Sequence, residues 1–156
     1  MDYQYLLLNP QGRIGQRDFW IGAAIVLGGN FIAGFIPLLG TVVSIALIYV
    51  GVCVYGKRLH DAGRSAWIHL LPWIVSFILW AVALMTFGGA ILSMALEGGV
   101  SLGGLMAAGG SFFIFSMITT LIWLIYTIWV GSLRGDEGAN AYGPPPVITI
   151  EPNSVD

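Results

Sequence analysis

Charge is what this sequence has least of. Charged residues make up 9% of the chain and hydrophobic residues 57%, whereas a soluble domain is about a quarter charged. So few charges cannot cover a water-facing surface, and lipid is the expected solvent for most of the chain. The six Lys and Arg are scattered and the net charge is −2, which excludes a nucleic-acid footprint. The one cysteine, Cys53, lies inside an apolar run. It has no intrachain disulfide partner and no neighbouring ligand set, and reads as a small buried residue. His60 and His69 are the only histidines, too few to build the three or four ligands of a metal site. No metal and no other cofactor is expected. Motifs for an activated nucleophile are missing: there is no Gly-x-Ser-x-Gly, no phosphate loop with its lysine and no His-Glu-x-x-His. No catalytic residue is assigned. The apolar runs also lack any Asp, Glu, Lys or Arg, the usual mark of a transport path.

What the chain does have is four uncharged apolar runs: Phe19 to Ile36, Leu39 to Gly56, Ala66 to Phe87 and Phe112 to Val130. The shortest of them spans about 27 Å as a helix, close to the hydrocarbon thickness of a bilayer. Pro37, Gly40 and Thr41 mark a turn, so the first two runs form a helical hairpin. Ala24 with Gly28, Gly29 with Ala33 and Gly40 with Ser44 recur at a spacing that lets helix backbones approach. Ser65 is placed to cap the third run, and Pro72 should kink it or shift its start. Residues 88–110 contain four Gly-Gly pairs and one charge, Glu97. A fifth lipid-embedded helix there carries a propensity cost of up to about 1 kcal/mol per glycine, so a partly helical or re-entrant outer loop is expected. Asn30, Ser44, Ser76, Ser116, Thr119 and Thr120 read as interhelical hydrogen-bonding groups.

The expected fold is an all-α integral membrane protein with four transmembrane helices. That count puts Arg13, Arg17, Lys57, Arg58, Arg64 and Arg134 on one face, and basic loops stay cytoplasmic, so both termini should be cytoplasmic. Three regions follow. Residues 1–18 form an interfacial segment, with an acid at the start where a signal peptide needs base. Residues 19–131 form the transmembrane domain. Residues 132–156 form a polar tail whose last dozen residues, around a possible strand at Val147–Ile150, are expected to be poorly ordered.

The polar residues concentrate in an island, Lys57-Arg58-Leu59-His60-Asp61-Ala62-Gly63-Arg64-Ser65. If the second helix continues through it, Asp61 shares a face with Lys57 and Arg58, and Asp61-Ala62-Gly63 turns the chain into the third helix. One reading is an ion-paired helix end. The sharper reading has Arg13, Arg17, Arg58 and Arg64 converging on an anionic headgroup or phosphate, which suits guanidinium forks. His60-Asp61 is the sole candidate acid–base pair.

Three separated motifs share an order. They are Gly12-Arg13-Ile14 with Arg17-Asp18-Phe19-Trp20, then Lys57-Arg58-Leu59-His60-Asp61 with Gly63-Arg64-Ser65-Ala66-Trp67, then Gly138-Ala139-Asn140-Ala141-Tyr142-Gly143 with Pro145. Together they resemble the bacterial inner-membrane family known as domain of unknown function 805, over roughly residues 10 to 146. Ala66 and Pro144 depart from the pattern, which has glycine and an acid there. The resemblance implies a multi-pass protein of the bacterial cell inner membrane and no particular reaction. It adds Asn140 and Tyr142 to Arg13, Arg17, Arg58, His60, Asp61 and Arg64 as candidate binding residues. The expected function is therefore non-enzymatic: a cytoplasmic Arg/His/Asp cluster that clasps helix ends and binds membrane lipid through anionic headgroups, or a protein partner. The alternatives are a small homo-oligomeric transporter or channel subunit, and a membrane enzyme using His60-Asp61.

Overall fold

A computed structural model describes residues 2–146; the expected loose order and possible strand at the end of the tail fall outside them. The elements are α1 (Tyr3–Leu8), α2 (Gln16–Ala33), α3 (Leu39–Asp61), a 3-10 turn (Ala66–His69), α4 (Leu70–Leu96) and α5 (Leu102–Ser132). Among the described residues there is no strand, and the all-α expectation holds.

Three helical segments, not four, are long and apolar enough to cross a membrane: Leu39–Asp61, Ala66–Leu96 and Leu102–Ser132. The expected first span starts on polar residues and stops early. Helix α2 begins on the polar triplet Gln16-Arg17-Asp18, and it stops at Ala33 with Gly34 as its C-cap, three residues before the run ends at Ile36. Its apolar part, from Phe19, is about 22 Å long, below the roughly 30 Å of bilayer hydrocarbon. The glycine-rich stretch is a second correction. It is more helical than the partly helical or re-entrant loop expected: α4 runs on to Leu96 and α5 begins at Leu102. Only Glu97 to Ser101 connects them, with Gly98 at a positive φ of 75° after the helix end.

The chain divides into two compact units, Met1–His69 with Ile128–Asp156, and Leu70–Thr127. In the first unit α2 and α3 lie antiparallel. Three glycines set their separation: a Cβ on Gly22 would meet Val54 at 2.8 Å, one on Gly29 would meet Leu47 at 2.9 Å, and one on Gly40 would run into the Ala33 carbonyl. The Gly29/Ala33 and Gly40 positions thus belong to the helix contact, while Gly28 faces open space. Phe19, Cys53, Val54, Tyr55 and Leu59 fill the core. The Phe19 and Tyr55 rings meet edge to face at 5.2 Å, a favoured aromatic geometry.

Helix α3 does continue through the island. It ends in a Schellman turn: Arg64 N–H donates to the Leu59 carbonyl at 2.8 Å and Gly63 N–H to that of His60 at 3.1 Å. Gly63 adopts the positive φ of 64° that this cap requires. The next turn is capped by Ser65, whose hydroxyl accepts from Trp67 N–H at 3.3 Å. Pro72 sits in the first turn of α4, where a missing N–H breaks no intrahelical bond. It shifts the helix start and leaves the 3-10 turn before it.

In the second unit α4 and α5 also run antiparallel. Trp73 packs edge-on to Trp123 at 5.1 Å, Phe87 to Phe112 at 5.0 Å, and Trp123 Nε1 donates to Ser76 Oγ at 3.1 Å. Of the expected interhelical polar groups, Ser76 acts as one. Asn30 and Thr120 return their hydrogen bonds to carbonyls of their own helices, Val26 and Ser116. The outward faces are apolar: Phe77 is 75% exposed and Met85 76%, as suits side chains solvated by lipid.

Gly40→Ala forces a methyl group into a backbone carbonyl, a clash that no rotamer relieves. It is expected to destabilise the first unit by about 1–3 kcal/mol, seen as a lowered melting midpoint in detergent. Gly28→Ala, which meets nothing within 4 Å, should leave the midpoint unchanged or raise it.

Candidate functional site

The end of α3, the segment leading into α2 and the segment after α5 meet at one polar junction. Its centre is the Asp61 carboxylate. Arg13 approaches one oxygen, with Nε at 3.1 Å and Nη2 at 3.0 Å from Oδ1. Arg58, one turn back on α3, reaches the other, with Nη1 at 2.5 Å from Oδ2. The three residues are each at most 4% exposed. In such surroundings an ion pair is held only if its remaining donors are also satisfied.

Backbone carbonyls meet that need. Arg13 Nη1 donates to the carbonyls of Gly138 at 2.7 Å and Gly143 at 3.2 Å. Its Nη2 donates to those of Asp136 at 2.5 Å and Asp61 at 3.3 Å. With Nε on Asp61, all five guanidinium N–H groups have acceptors. Arg58 Nη2 turns to the end of α5, donating to the Leu133 carbonyl, and lies 3.5 Å from that of Gly131. Gln16 Nε2 donates to the same Gly131 carbonyl at 2.9 Å. The last carbonyls of α5, unsatisfied within the helix, thus receive cationic and amide donors. Arg58 Nε is buried without a hydrogen-bond partner.

The tail segment is fastened from the other side. Asp136 N–H donates to the Asp61 carbonyl at 2.8 Å. Asn140 Nδ2 donates to the His60 carbonyl at 2.9 Å and to Asp136 Oδ2 at 2.8 Å. Asn140 and Gly143 exchange backbone hydrogen bonds in a tight turn, and Gly143 takes a φ of 124° there. The turn lays Tyr142 flat on His60, with ring centroids 3.8 Å apart and planes 6° apart. His60 Nδ1 faces the Gly12 carbonyl at 3.2 Å.

Lys57 has a different task from the one its spacing suggested. It does not join Asp61. Its ammonium donates to the carbonyls of Tyr5 and, at 2.9 Å, Leu6, and lies 4.4 Å from the centre of the Tyr5 ring. Tyr49 donates to the Leu8 carbonyl at 2.9 Å. These two α3 side chains cap the free carbonyl end of α1, and hold it against α3 with Leu6 buried.

Of the eight residues singled out in the sequence, the structure brings six together: Arg13, Arg58, His60, Asp61, Asn140 and Tyr142. Arg17 and Arg64 stay outside and exposed. Arg64 lies over the Trp129 ring at 5.2 Å, a cation–π placement. Sequence reasoning missed Asp136, Gln16 and the Lys57 anchor. Asp136 stands in Gly135-Asp136-Glu137-Gly138, a turn-rich polar stretch whose position directly after a long apolar run was the available signal. A Cβ on Gly135 would collide with the Asp61 carboxylate, and one on Gly63 would meet Asp136 at 2.7 Å. Both glycines are there because the strands of chain pass too close for a side chain. Among the described residues no group of three or more His, Cys, Asp or Glu is placed to hold a metal ion.

Comparison with known proteins adds a family. The model of a protein of unknown function, DUF805, matches residues 7–144. The chain is 31% identical to the uncharacterized protein YiiR of Escherichia coli K12 over 151 residues, covering 92% of this chain and 89% of that one. The YiiR of Escherichia coli O157:H7 matches equally. No solved structure matches.

Asp61→Asn keeps the shape of the junction and strands two buried guanidinium groups without their carboxylate. A loss of about 3–5 kcal/mol is expected, measured as the denaturation midpoint in detergent. Glu137→Gln, whose pair with Arg134 is solvent-exposed on both sides, should leave that midpoint unmoved.

Proposed function

The chain belongs to the DUF805 family of proteins of unknown function, and from that premise we propose a non-enzymatic, multi-pass protein of the bacterial inner membrane. Its polar junction acts as a clasp at the cytoplasmic face, and its two outer arginines contact anionic headgroups. The observation that carries this reading is the division among the arginines. Arg13 has every N–H engaged by Asp61 and backbone carbonyls, and Arg58 is turned onto Asp61 and the end of α5. Arg17 and Arg64 are exposed and join neither group. Arg64 lies on Trp129, and Trp67 and Trp20 are exposed as well, which fits the aromatic belt at a bilayer interface, where anionic lipid attracts basic side chains.

The antiparallel α2–α3 pair supports a common side for the start of the chain and the tail. Residues 13, 61 and 136–143 meet at one end of that pair. The enzymatic alternative loses support from the same contacts. Asp61 has an arginine on each oxygen, and His60 Nδ1 is turned to the Gly12 carbonyl rather than to Asp61, so the two do not form an acid–base pair. The oligomeric alternative keeps one favourable observation: Gly88, Gly89, Gly103, Gly109 and Gly110 face open space on helices whose backbones a second copy could approach. A monomer in native mass spectrometry from lipid would remove it.

The clasp reading makes two measurable claims. Arg17→Ala with Arg64→Ala should release anionic lipid, roughly fivefold in affinity per cation at low salt, with the melting midpoint retained. Single cysteines at Asp2 and Pro146, placed in a Cys53→Ala background, should both be labelled from the cytoplasmic side. Labelling from opposite sides would overturn the common face.

A further inference from the structure

A pocket of about 310 Å³ opens between the N-terminal segment and the tail, walled by Tyr5, Ile14, Tyr142 and Pro144–Pro146, with Arg13 and Asp18 as its charged members. It lies at the lower end of the volume range of small-ligand sites. Its electrostatics differ from those of the junction behind it. Arg13 presents its charge to the pocket and no free N–H, because all five are engaged elsewhere. The Asp18 carboxylate, half-buried at the start of α2, pairs with no cation and takes no side-chain hydrogen bond among the described residues. Asp61, the counter-charge to Arg13, is already shared with Arg58. The one carboxylate lining the pocket is therefore left for a ligand, and aromatic rings and prolines share the wall with it.

We infer that this pocket binds a primary ammonium group, held by the Asp18 carboxylate beside the Tyr142 ring. A carboxylate accepts charge-assisted hydrogen bonds from ammonium N–H, and an aromatic face attracts the cation. The prolines and Ile14 exclude water without competing for the charge. Two ring faces are taken in advance: Lys57 lies over Tyr5 and His60 covers one face of Tyr142. Tyr142 and Asp18 are thus the groups that remain. The ammonium comes either from an ethanolamine headgroup or from a free amine. The site has the opposite polarity to the Arg17 and Arg64 contacts, so either can fail without the other.

The full-length protein, released from nanodiscs of equal parts phosphatidylethanolamine and phosphatidylglycerol, is to be weighed by native mass spectrometry. Wild type should retain the ethanolamine lipid in preference, and Asp18→Asn should lose it about tenfold, as removal of a charge-assisted hydrogen bond implies. Pro144→Trp, which narrows the pocket and keeps the carboxylate, should lose it as well, and Asp18→Glu should keep it. Stabilisation of the detergent-solubilised protein by ethanolamine alone, abolished by Asp18→Asn, would identify a free amine as the source. Preference seen only with lipid would identify the headgroup. No preference for either amine, or equal retention by wild type, Asp18→Asn and Pro144→Trp, overturns the proposal.

Discussion

The structure depends on a single buried carboxylate that holds two guanidinium groups. Asp61 brings one negative charge to a place where Arg13 and Arg58 bring two positive ones. A residual positive charge cannot be left bare in a water-poor interior. The chain resolves this with peptide dipoles rather than a second acid: the carbonyls of Gly131, Leu133, Asp136, Gly138 and Gly143 all point at the two arginines. Those carbonyls belong to the end of α5 and the segment after it, so neutralising the excess charge is the same event as docking the tail. A lysine in place of Arg13 could not do this, because an ammonium has three donors where the site presents five directions.

The same solution appears a second time, one residue before Arg58. Lys57 is 0% exposed and has no acid within ion-pairing distance among the described residues. It is held by the carbonyl end of α1 and the Tyr5 ring. A six-residue helix is too short to persist alone, and here a cation on its C-terminal carbonyls with Leu6 beneath it supplies what the helix lacks. Adjacent basic residues on α3 point to different sides of the helix. Arg58 therefore gathers the C-terminal part of the chain and Lys57 the N-terminal part. One turn of α3 organises both.

Much of this was legible in the sequence. The continuation of α3 through the island, the Arg58–Asp61 spacing and the Gly63 turn follow from helical periodicity and cap chemistry, which are local, while the three polar patches were grouped by charge bias and the order of their motifs. The failures are equally physical. The first apolar run reads as a span because hydropathy averages over its ends, but Gln16, Arg17 and Asp18 join the helix and Gly34 ends it early. Residues 88–110 read as only partly helical or re-entrant because glycine propensities come from helices in water. Here α4 and α5 pass through that stretch as a packed pair, with Met94 seated where a side chain on Gly104 would be, and apolar surroundings leave the backbone no other partner than itself. Lys57 was assigned to Asp61 by spacing alone. Spacing gives two possible neighbours and burial chooses between them, and burial depends on α1, whose position is a tertiary fact.

Of the six residues joined at the junction, two act chiefly through the main chain of their neighbours and a third is aimed by its own. Asn140 reaches the His60 carbonyl, Arg13 reaches four carbonyls, and Tyr142 is aimed by its own N–H on Asn140 Oδ1 at 2.9 Å. A pattern of this kind constrains the donor side chains tightly and the identities of the acceptor residues hardly at all. It constrains those acceptors in another way, by demanding room. Gly131 lies where a side chain would strike Trp20, Gly135 where it would strike Asp61, and Gly63 where it would strike Asp136. The glycines and the arginines of the polar patches are therefore linked: the cations need carbonyls, those of Leu133 and Asp136 among them, and the bare backbone at Gly63, Gly131 and Gly135 lets the segments that carry them pack close enough.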